Sequence, residues 1–341
     1  MRLQGIKLHG WRRFGQLDIS FDEHLTVITG VNESGKSSLL AALDTVLSSS
    51  QAPVARPTAR QRFPVPKEAL SDAVTVGEVR YRSGPTVELC TPASSPHDVP
   101  SPRPVTPTLG ILINAHGEWP PEGGHPITNE QWVGYTDLLR RVLPSAMFAE
   151  VLQVLERDGP GRLTLPRHMG GVRAILGTLW HLYALTSGSG RENAVVLIDE
   201  PELHLHPAVQ REIFPRLFAA APDAQLVVAT HSPFIVSADP TARTYVLTES
   251  DDRRVTAQLA EDEVTHGTAN DVLRAGLGVP STLPVWVERK LADLAKGLVG
   301  EDLATKRPID DLYRQLQEIG LQEYAPELLA RVLAARRYEH D

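Results

Sequence analysis

Residues 25–37 read Leu-Thr-Val-Ile-Thr-Gly-Val-Asn-Glu-Ser-Gly-Lys-Ser, and this stretch decides the fold. Residues 25–29 are β-prone, and Gly30, Gly35, Lys36 and Ser37 fit the pattern G-x-x-x-x-G-K-[ST]. Residues 38–43, Ser-Leu-Leu-Ala-Ala-Leu, have helical composition and an apolar helical stripe. Strand, glycine loop and helix together predict an α/β protein whose loop backbone cradles phosphates, aided by the positive end of the helix. The cradle is Gly30, Asn32, Glu33, Ser34, Gly35, Lys36, Ser37 and Ser38. Lys36 is placed to meet the β- and γ-phosphates, and the Ser37 hydroxyl to hold Mg²⁺. The competing reading is a glycine turn followed by a surface lysine.

Two later stretches share the apolar-then-polar layout. Residues 195–207 read Val-Val-Leu-Ile-Asp-Glu-Pro-Glu-Leu-His-Leu-His-Pro, and residues 226–233 read Leu-Val-Val-Ala-Thr-His-Ser-Pro. An uninterrupted apolar run predicts a parallel strand covered on both faces. Carboxylates at its end need a cation or hydrogen bonds, which assigns Asp199 to Mg²⁺ and leaves Glu200 to polarise the attacking water. A helix-capping Asp-Glu pair before Pro201 is the structural alternative. His231 reads as a γ-phosphate sensor or as a hydrogen-bonded structural histidine. His204 and His206 share a face if extended, but no third ligand lies near them and Cys90 is the only cysteine, so no zinc site is expected. Taken in this order, the three stretches imply ATP hydrolysis with ATP and Mg²⁺ as cofactors.

The chain has 341 residues, 42% of them hydrophobic, and a net charge of −8. That is enough for one large α/β domain with an appendage, and too acidic for a general nucleic-acid coat. One cysteine gives no disulfide framework. With no apolar leader in Met-Arg-Leu-Gln-Gly-Ile-Lys and no run of 18 apolar residues, a cytoplasmic location and no membrane partner are expected.

Joined to Ile6-Lys7-Leu8-His9-Gly10-Trp11-Arg12-Arg13-Phe14, the motifs resemble the ABC-type ATPases of the SMC/RecF/OLD group over roughly residues 1–250. The resemblance implies a P-loop ATPase head with a mainly parallel core sheet, to which the residue patterns described below add an antiparallel β lobe and a C-terminal helical tail. It also implies a head-to-head homodimer with ATP sandwiched between protomers, and gives residues 203–207 the role of dimer-contact loop. Arg12, in the bend between strands at 3–9 and 16–21, would approach the nucleotide; the alternative is a solvated hairpin tip with Trp11 in the core. Where the family carries Leu-Ser-x-Gly before a helix, this chain has Leu165-Pro166-Arg167-His168-Met169-Gly170-Gly171-Val172. Gly170 and Gly171 would offer N–H groups to the partner's γ-phosphate, with Arg167 or His168 standing in for the missing serine. The alternative is a Gly-Gly start to the helix at 172–185 with no trans contact. No glutamine is assignable to the family's Q-loop.

Long coiled-coil arms are excluded, because Pro96, Pro100, Pro102, Pro104, Pro107, Pro120 and Pro121 interrupt the region where they would lie. Residues 74–82 and 86–91 alternate and predict a hairpin, and residues 109–113 a further strand. Residues 50–145 are therefore read as an antiparallel lobe with a proline-rich insertion at 84–126 inside an ATPase domain spanning 1–260. Residues 261–341 form the tail, with helices expected at 283–298, 309–319 and 326–338. The tail weakly resembles ATPase subunits of Septu-type and retron-associated antiphage systems, which implies a separate effector nuclease, with DNA as a further partner. No nuclease centre is readable in this chain. The second function class is a self-contained DNA repair or recombination ATPase of the RecF type.

Overall fold

The computed structural model describes residues 2–47, 73–82, 84–92, 98, 101–103, 110–114, 128–158, 170–187, 194–279, 281–299, 306–326 and 328–329. It divides into two compact units, Met1–Val279 and Pro280–Asp341.

In chain order the first unit contains β1 (Leu3–Trp11), β2 (Phe14–Ser20), β3 (Leu25–Gly30), α1 (Lys36–Leu47), β4 (Ala73–Tyr81), β5 (Thr86–Pro92), β6 (Ser101–Arg103) and β7 (Gly110–Asn114). It continues with α2 (Asn129–Val142), α3 (Ser145–Asp158), α4 (Gly170–Thr186), β8 (Val195–Asp199), α5 (Pro207–Ala219), β9 (Gln225–Ala229) and α6 (Pro233–Val236). The last elements are β10 (Arg243–Glu249), β11 (Val255–Leu259), α7 (Asp262–His266), α8 (Ala269–Asp271) and a π-helical turn, Val272–Gly276.

Among the described residues, one 11-stranded sheet runs β6-β5-β4-β1-β2-β11-β10-β3-β9-β8-β7. From β10 to β7 every pairing is parallel, and β6 to β2 is antiparallel. The antiparallel lobe is thus continuous with the core sheet. The join is slender, a parallel pairing of Val255 with Phe14.

Side-chain alternation explains why the central strands are apolar throughout. Val195 and Leu197 of β8, with Val227 and Ala229 of β9, face the core around α1, which also holds Ile6, Leu17, Val79 and Val87 of the antiparallel strands. Val196, Ile198, Leu226 and Val228 face the opposite core, with Leu139 of α2, Leu179 of α4 and Phe214 of α5.

Three sequence expectations change. Residues 110–114 do not belong to the antiparallel lobe: β7 pairs in parallel with β8, as an apolar Ile-Leu-Ile strand does when both faces are covered. The helix α2 falls inside the stretch read as lobe, started by a capping box between Thr128 and Gln131. The segment 261–279, assigned to the tail, lies in the first compact unit because Val264 and Val272 are buried in the main core. Of the 84–126 insertion, Asp98 is fixed by the Trp11 indole, whose Nε1 donates to its carbonyl at 2.8 Å; most of the rest lies outside the described residues, as does most of the helix expected at 326–338.

The second unit contains α9 (Val285–Val299), α10 (Lys306–Glu318) and a 3-10 turn, Gln322–Tyr324. Val287, Leu291, Leu312, Leu316, Leu321 and Leu328 give it a small core of its own. Among the described residues, no helix of either unit is long and apolar enough to cross a membrane.

Two strands that are not neighbours in the sheet, β1 and β9, are tied by one buried side chain. Gln225 Oε1 accepts from Leu3 N at 2.7 Å, while Nε2 donates to the carbonyls of Leu3 at 2.8 Å and Asp22 at 2.7 Å. Replacing Gln225 with Leu strands these buried backbone groups, so unfolding stability should drop by roughly 2–4 kcal/mol. Urea denaturation checks this, and an unchanged midpoint would remove Gln225 from the account of how β1 and β9 are held together.

Candidate functional site

The described site collects at the C-terminal edge of β3, β8 and β9, where parallel strands end together. In the loop after β3, Gly30 and Gly35 have φ of 143° and 92°. A Cβ on Gly30 would lie 2.4 Å from the Leu247 carbonyl, and one on Gly35 would lie 2.7 Å from the Phe14 ring. Both positions therefore require glycine on two grounds. Glu33, at φ 63°, is held by Arg13, which donates to its carbonyl at 3.0 Å and pairs with Glu249. Asn32 is exposed at the loop apex, whereas Ser34 is buried.

Lys36 begins α1 with only 4% of its surface exposed. Its Nζ donates to the carbonyls of Gly30 at 3.1 Å and Val31 at 3.0 Å, and to Ser34 Oγ at 3.4 Å. Burial lowers its pKa to about 8, against the raising effect of Glu200, Asp199 and Glu202. The ammonium is thus already aimed into the loop that would wrap a phosphate. Ser37 Oγ donates to Asp199 Oδ1 at 3.2 Å. Burial raises the Asp199 pKa, the Ser37 hydrogen bond opposes it, Glu200 adds to it and Lys36 reduces it. A hydroxyl beside a desolvated carboxylate is the oxygen donor set a Mg²⁺ ion prefers, so these two residues fit the metal.

Glu200 follows β8 at φ 48°, a strained conformation for a residue with a Cβ. Its amide donates to the Ala229 carbonyl at 2.9 Å, and its Oε1 lies 3.6 Å from His231 Nε2. Burial first, then Lys36, lowers the His231 pKa, so the imidazole is neutral at pH 7. A neutral imidazole can donate one N–H while the other nitrogen accepts.

Arg12 is exposed in the turn between β1 and β2. Its guanidinium donates to Ser38 Oγ at 2.8 Å and stacks on Trp11 at 4.8 Å, while Trp11 is buried against Phe14. The first turn of α1 therefore carries Lys36, Ser37 and an arginine-bound Ser38. Gly170 starts α4, but a Cβ on Gly171 would lie 2.3 Å from the His204 carbonyl of the same chain. Close packing on the 203–207 loop is thus a structural reason for Gly171. Leu165, Arg167 and His168 lie outside the described residues. His206 caps α5, its Nδ1 accepting from Ala208 N at 3.2 Å.

Sequence reasoning passed over two polar residues here. Glu202 Oε1 accepts from the His231 amide at 2.7 Å, and Oε2 is buried with no hydrogen-bond partner among the described residues. Burial raises its pKa, the His231 amide being the main opposing influence. Gln210 is buried on α5 in the same stripe as Ile213, Phe214 and Leu217. A single amide within an apolar stripe was the available signal. Asn114 ends β7 in register with Asp199, beside the same edge.

Residues 5–70 match a family described as AAA domain, and residues 133–237 match one described as AAA domain, putative AbiEii toxin, Type IV TA system. Each of these two matches covers less than a third of the chain, and both are to AAA domains. The curated relatives include a Retron Ec83 probable ATPase of Escherichia coli, 29% identical over 130 residues that make up 38% of this chain and 18% of that protein. A Retron Vc95 probable ATPase of Vibrio cholerae is 37% identical over 59 residues, 17% of this chain and 12% of that protein. The matches thus span less than a fifth of either relative. Among solved structures, an SMC head domain from Thermotoga maritima aligns over 76% of this chain and 100% of its own at 18% identity and TM-score 0.41. The recombination mediator RecF aligns over 75% of this chain and 97% of its own at 12% identity and TM-score 0.41.

The loop lysine is buried at a cost in stability, which pH should expose. A folded-state pKa of about 8 against 10.5 means the unfolded chain binds more protons between those values. Stability contributed at Lys36 therefore rises with pH across that window and is smallest below pH 8. The stability difference, wild type minus Lys36→Met, should grow by about 3 kcal/mol from pH 7.5 to 10.5. A flat difference in denaturant melts over that range would contradict the buried, desolvated ammonium.

Proposed function

We propose that this chain binds Mg·ATP at the edge of β3, β8 and β9 and hydrolyses it. The supporting observation is the convergence of Lys36, Ser37, Asp199, Glu200 and His231 from three separate segments, with Ser37 and Asp199 in direct hydrogen-bond contact. In this reading the N–H groups of residues 30–38 and the Lys36 ammonium bind the β- and γ-phosphates. Ser37 and Asp199 hold Mg²⁺, which supplies charge neutralisation at the phosphate oxygens. Glu200 orients the attacking water and accepts its proton. His231 donates a hydrogen bond to the γ-phosphate and, 3.6 Å from Glu200, registers the same group the water attacks. Arg12 contributes a guanidinium at the start of α1.

At the strand ends Ser37 is exposed and the Glu200 side chain is 41% exposed, which supports completion by a second copy. Gly170 and the start of α4 would face the nucleotide of the partner, with residues 203–207 at the contact. Glu200→Gln keeps the shape and removes the base, so turnover should fall by about 10² or more while ATP binding persists. The same variant should form an ATP-dependent dimer in light scattering. Equal turnover in wild type and Glu200→Gln would sink the assignment of the base, and a mass unchanged by ATP in both would sink the nucleotide-gated dimer.

The biological setting we propose is a nucleic-acid-directed defence complex with a separate effector, in line with the two retron ATPase relatives. The second unit is the proposed docking region. Its α9 leaves Val285 and Trp286 each 60% exposed, and Tyr313 of α10 is also exposed. Trp286→Asp should leave ATP binding intact and abolish co-purification of a neighbouring operon product. Retained co-purification would move the partner site away from α9, and a protein that acts on DNA ends alone would favour a self-contained repair ATPase.

A further inference from the structure

Two loops of the site are bonded to each other through Gln210, a residue that touches neither nucleotide nor metal in the reading above. Gln210 is 9% exposed and lies one turn into α5, just beyond the 203–207 loop. Its Nε2 donates to the Leu205 carbonyl at 2.8 Å and also reaches the Glu202 carbonyl at 3.4 Å. Its Oε1 accepts from Ser232 Oγ at 2.6 Å. One buried amide thereby satisfies the loop after β8 with its donor and the turn after β9 with its acceptor. A buried amide with its bonding capacity used on both sides is a rigid link, because breaking either half strands polar atoms away from water.

The link closes into a ring. Ser232 is 4% exposed and follows His231 directly; its amide donates to Thr230 Oγ1 at 2.9 Å and its hydroxyl accepts from Phe234 N at 3.2 Å, starting α6. The His231 amide in turn donates to Glu202 Oε1 at 2.7 Å, returning to the first loop. On the far side, His204, at φ 68°, presses its carbonyl where a Cβ on Gly171 would stand 2.3 Å away. The start of α4, the 203–207 loop, Gln210 and the His231 turn therefore form a continuous packed and hydrogen-bonded path within one chain.

We infer that Gln210 is a positioning residue that locks the 203–207 loop and the His231 turn into one unit, so that a shift of the loop is transmitted to the histidine. This rests on the ATPase reading for its functional consequence, but the mechanical link itself does not. If the loop is where a second copy docks, docking sets the position of His231 before hydrolysis. A site 1 Å out of place can forfeit about 10²-fold in rate without weakening binding.

The test uses the full chain with Gln210→Met, which keeps the volume, and Ser232→Ala, which removes the hydroxyl from the other end of the link. Amide hydrogen exchange is followed in peptides covering 201–206, 230–234 and 25–30, without nucleotide. Both variants are expected to speed exchange in 201–206 and in 230–234 and to leave 25–30 unchanged. The decisive reading is Ser232→Ala: faster exchange at 201–206, a loop the serine does not belong to, supports transmission through Gln210. Loosening confined to 230–234 overturns the link, and a uniform rise that includes 25–30 reduces Gln210 to a fold-stability residue. In turnover assays Gln210→Met should lose on the order of tenfold to 10²-fold in kcat with the KM for ATP and the affinity for ADP unchanged. A parallel loss of ADP affinity also overturns it. Absence of turnover in the wild type would count against the ATPase reading alone, and the exchange comparison would still decide the link.

Discussion

The hydrogen bond from Ser37 Oγ to Asp199 Oδ1 joins the start of α1 to the end of β8, and the candidate site depends on it. Ser37 follows β3 through the glycine loop and Asp199 ends β8, two strands that are not neighbours, since β9 lies between them. They meet because β3, β9 and β8 run parallel in matched register, Leu25 opposite Leu226 and Val195 opposite Gln225, so the three ends arrive at one edge. Each strand is buried on both faces, which leaves its C-terminal end as the place where charge can be solvated or paired.

That edge gathers several desolvated charged groups at close quarters. Lys36 is desolvated, Asp199 and Glu202 are pushed toward their protonated forms, and Glu200 sits in a strained backbone position between them. Buried titratable groups in one place, held by backbone strain, are what a binding site for a highly charged ligand requires. A phosphate chain with a divalent cation would give Lys36 new acceptors and relieve the crowding of carboxylates.

The glycine loop, the strands at 195–199 and 225–229 and the helix after Lys36 were legible because each is local: periodicity, glycine spacing and apolar runs carry them. In the sequence Arg12 reads either as approaching a nucleotide or as part of a solvated hairpin tip with Trp11 in the core; Trp11 is buried and Arg12 is exposed, as the second reading expects. The continuity of the lobe with the core sheet was not readable, because it rests on Val255 opposite Phe14 and on Gln225 reaching Leu3, pairings far apart in sequence. The segment 261–279 looked like tail because its glycines and acids mask two buried valines, Val264 and Val272. Gln210 and Glu202 were missed since their roles come from bonds to other loops, not from any spacing of their own. Gly171 shows the converse: a glycine read for a trans contact has a close in-chain neighbour in His204.

The central claim is that Ser37 and Asp199 act together on one cation bound with ATP. Calorimetric titration of Mg·ATP into wild type, Ser37→Ala, Asp199→Asn and the double variant measures that directly. The account predicts that each single change weakens Mg-dependent binding and that the double change adds little, a coupling of about 1 kcal/mol or more. Strictly additive losses, or binding that does not depend on Mg²⁺ in any variant, would contradict it.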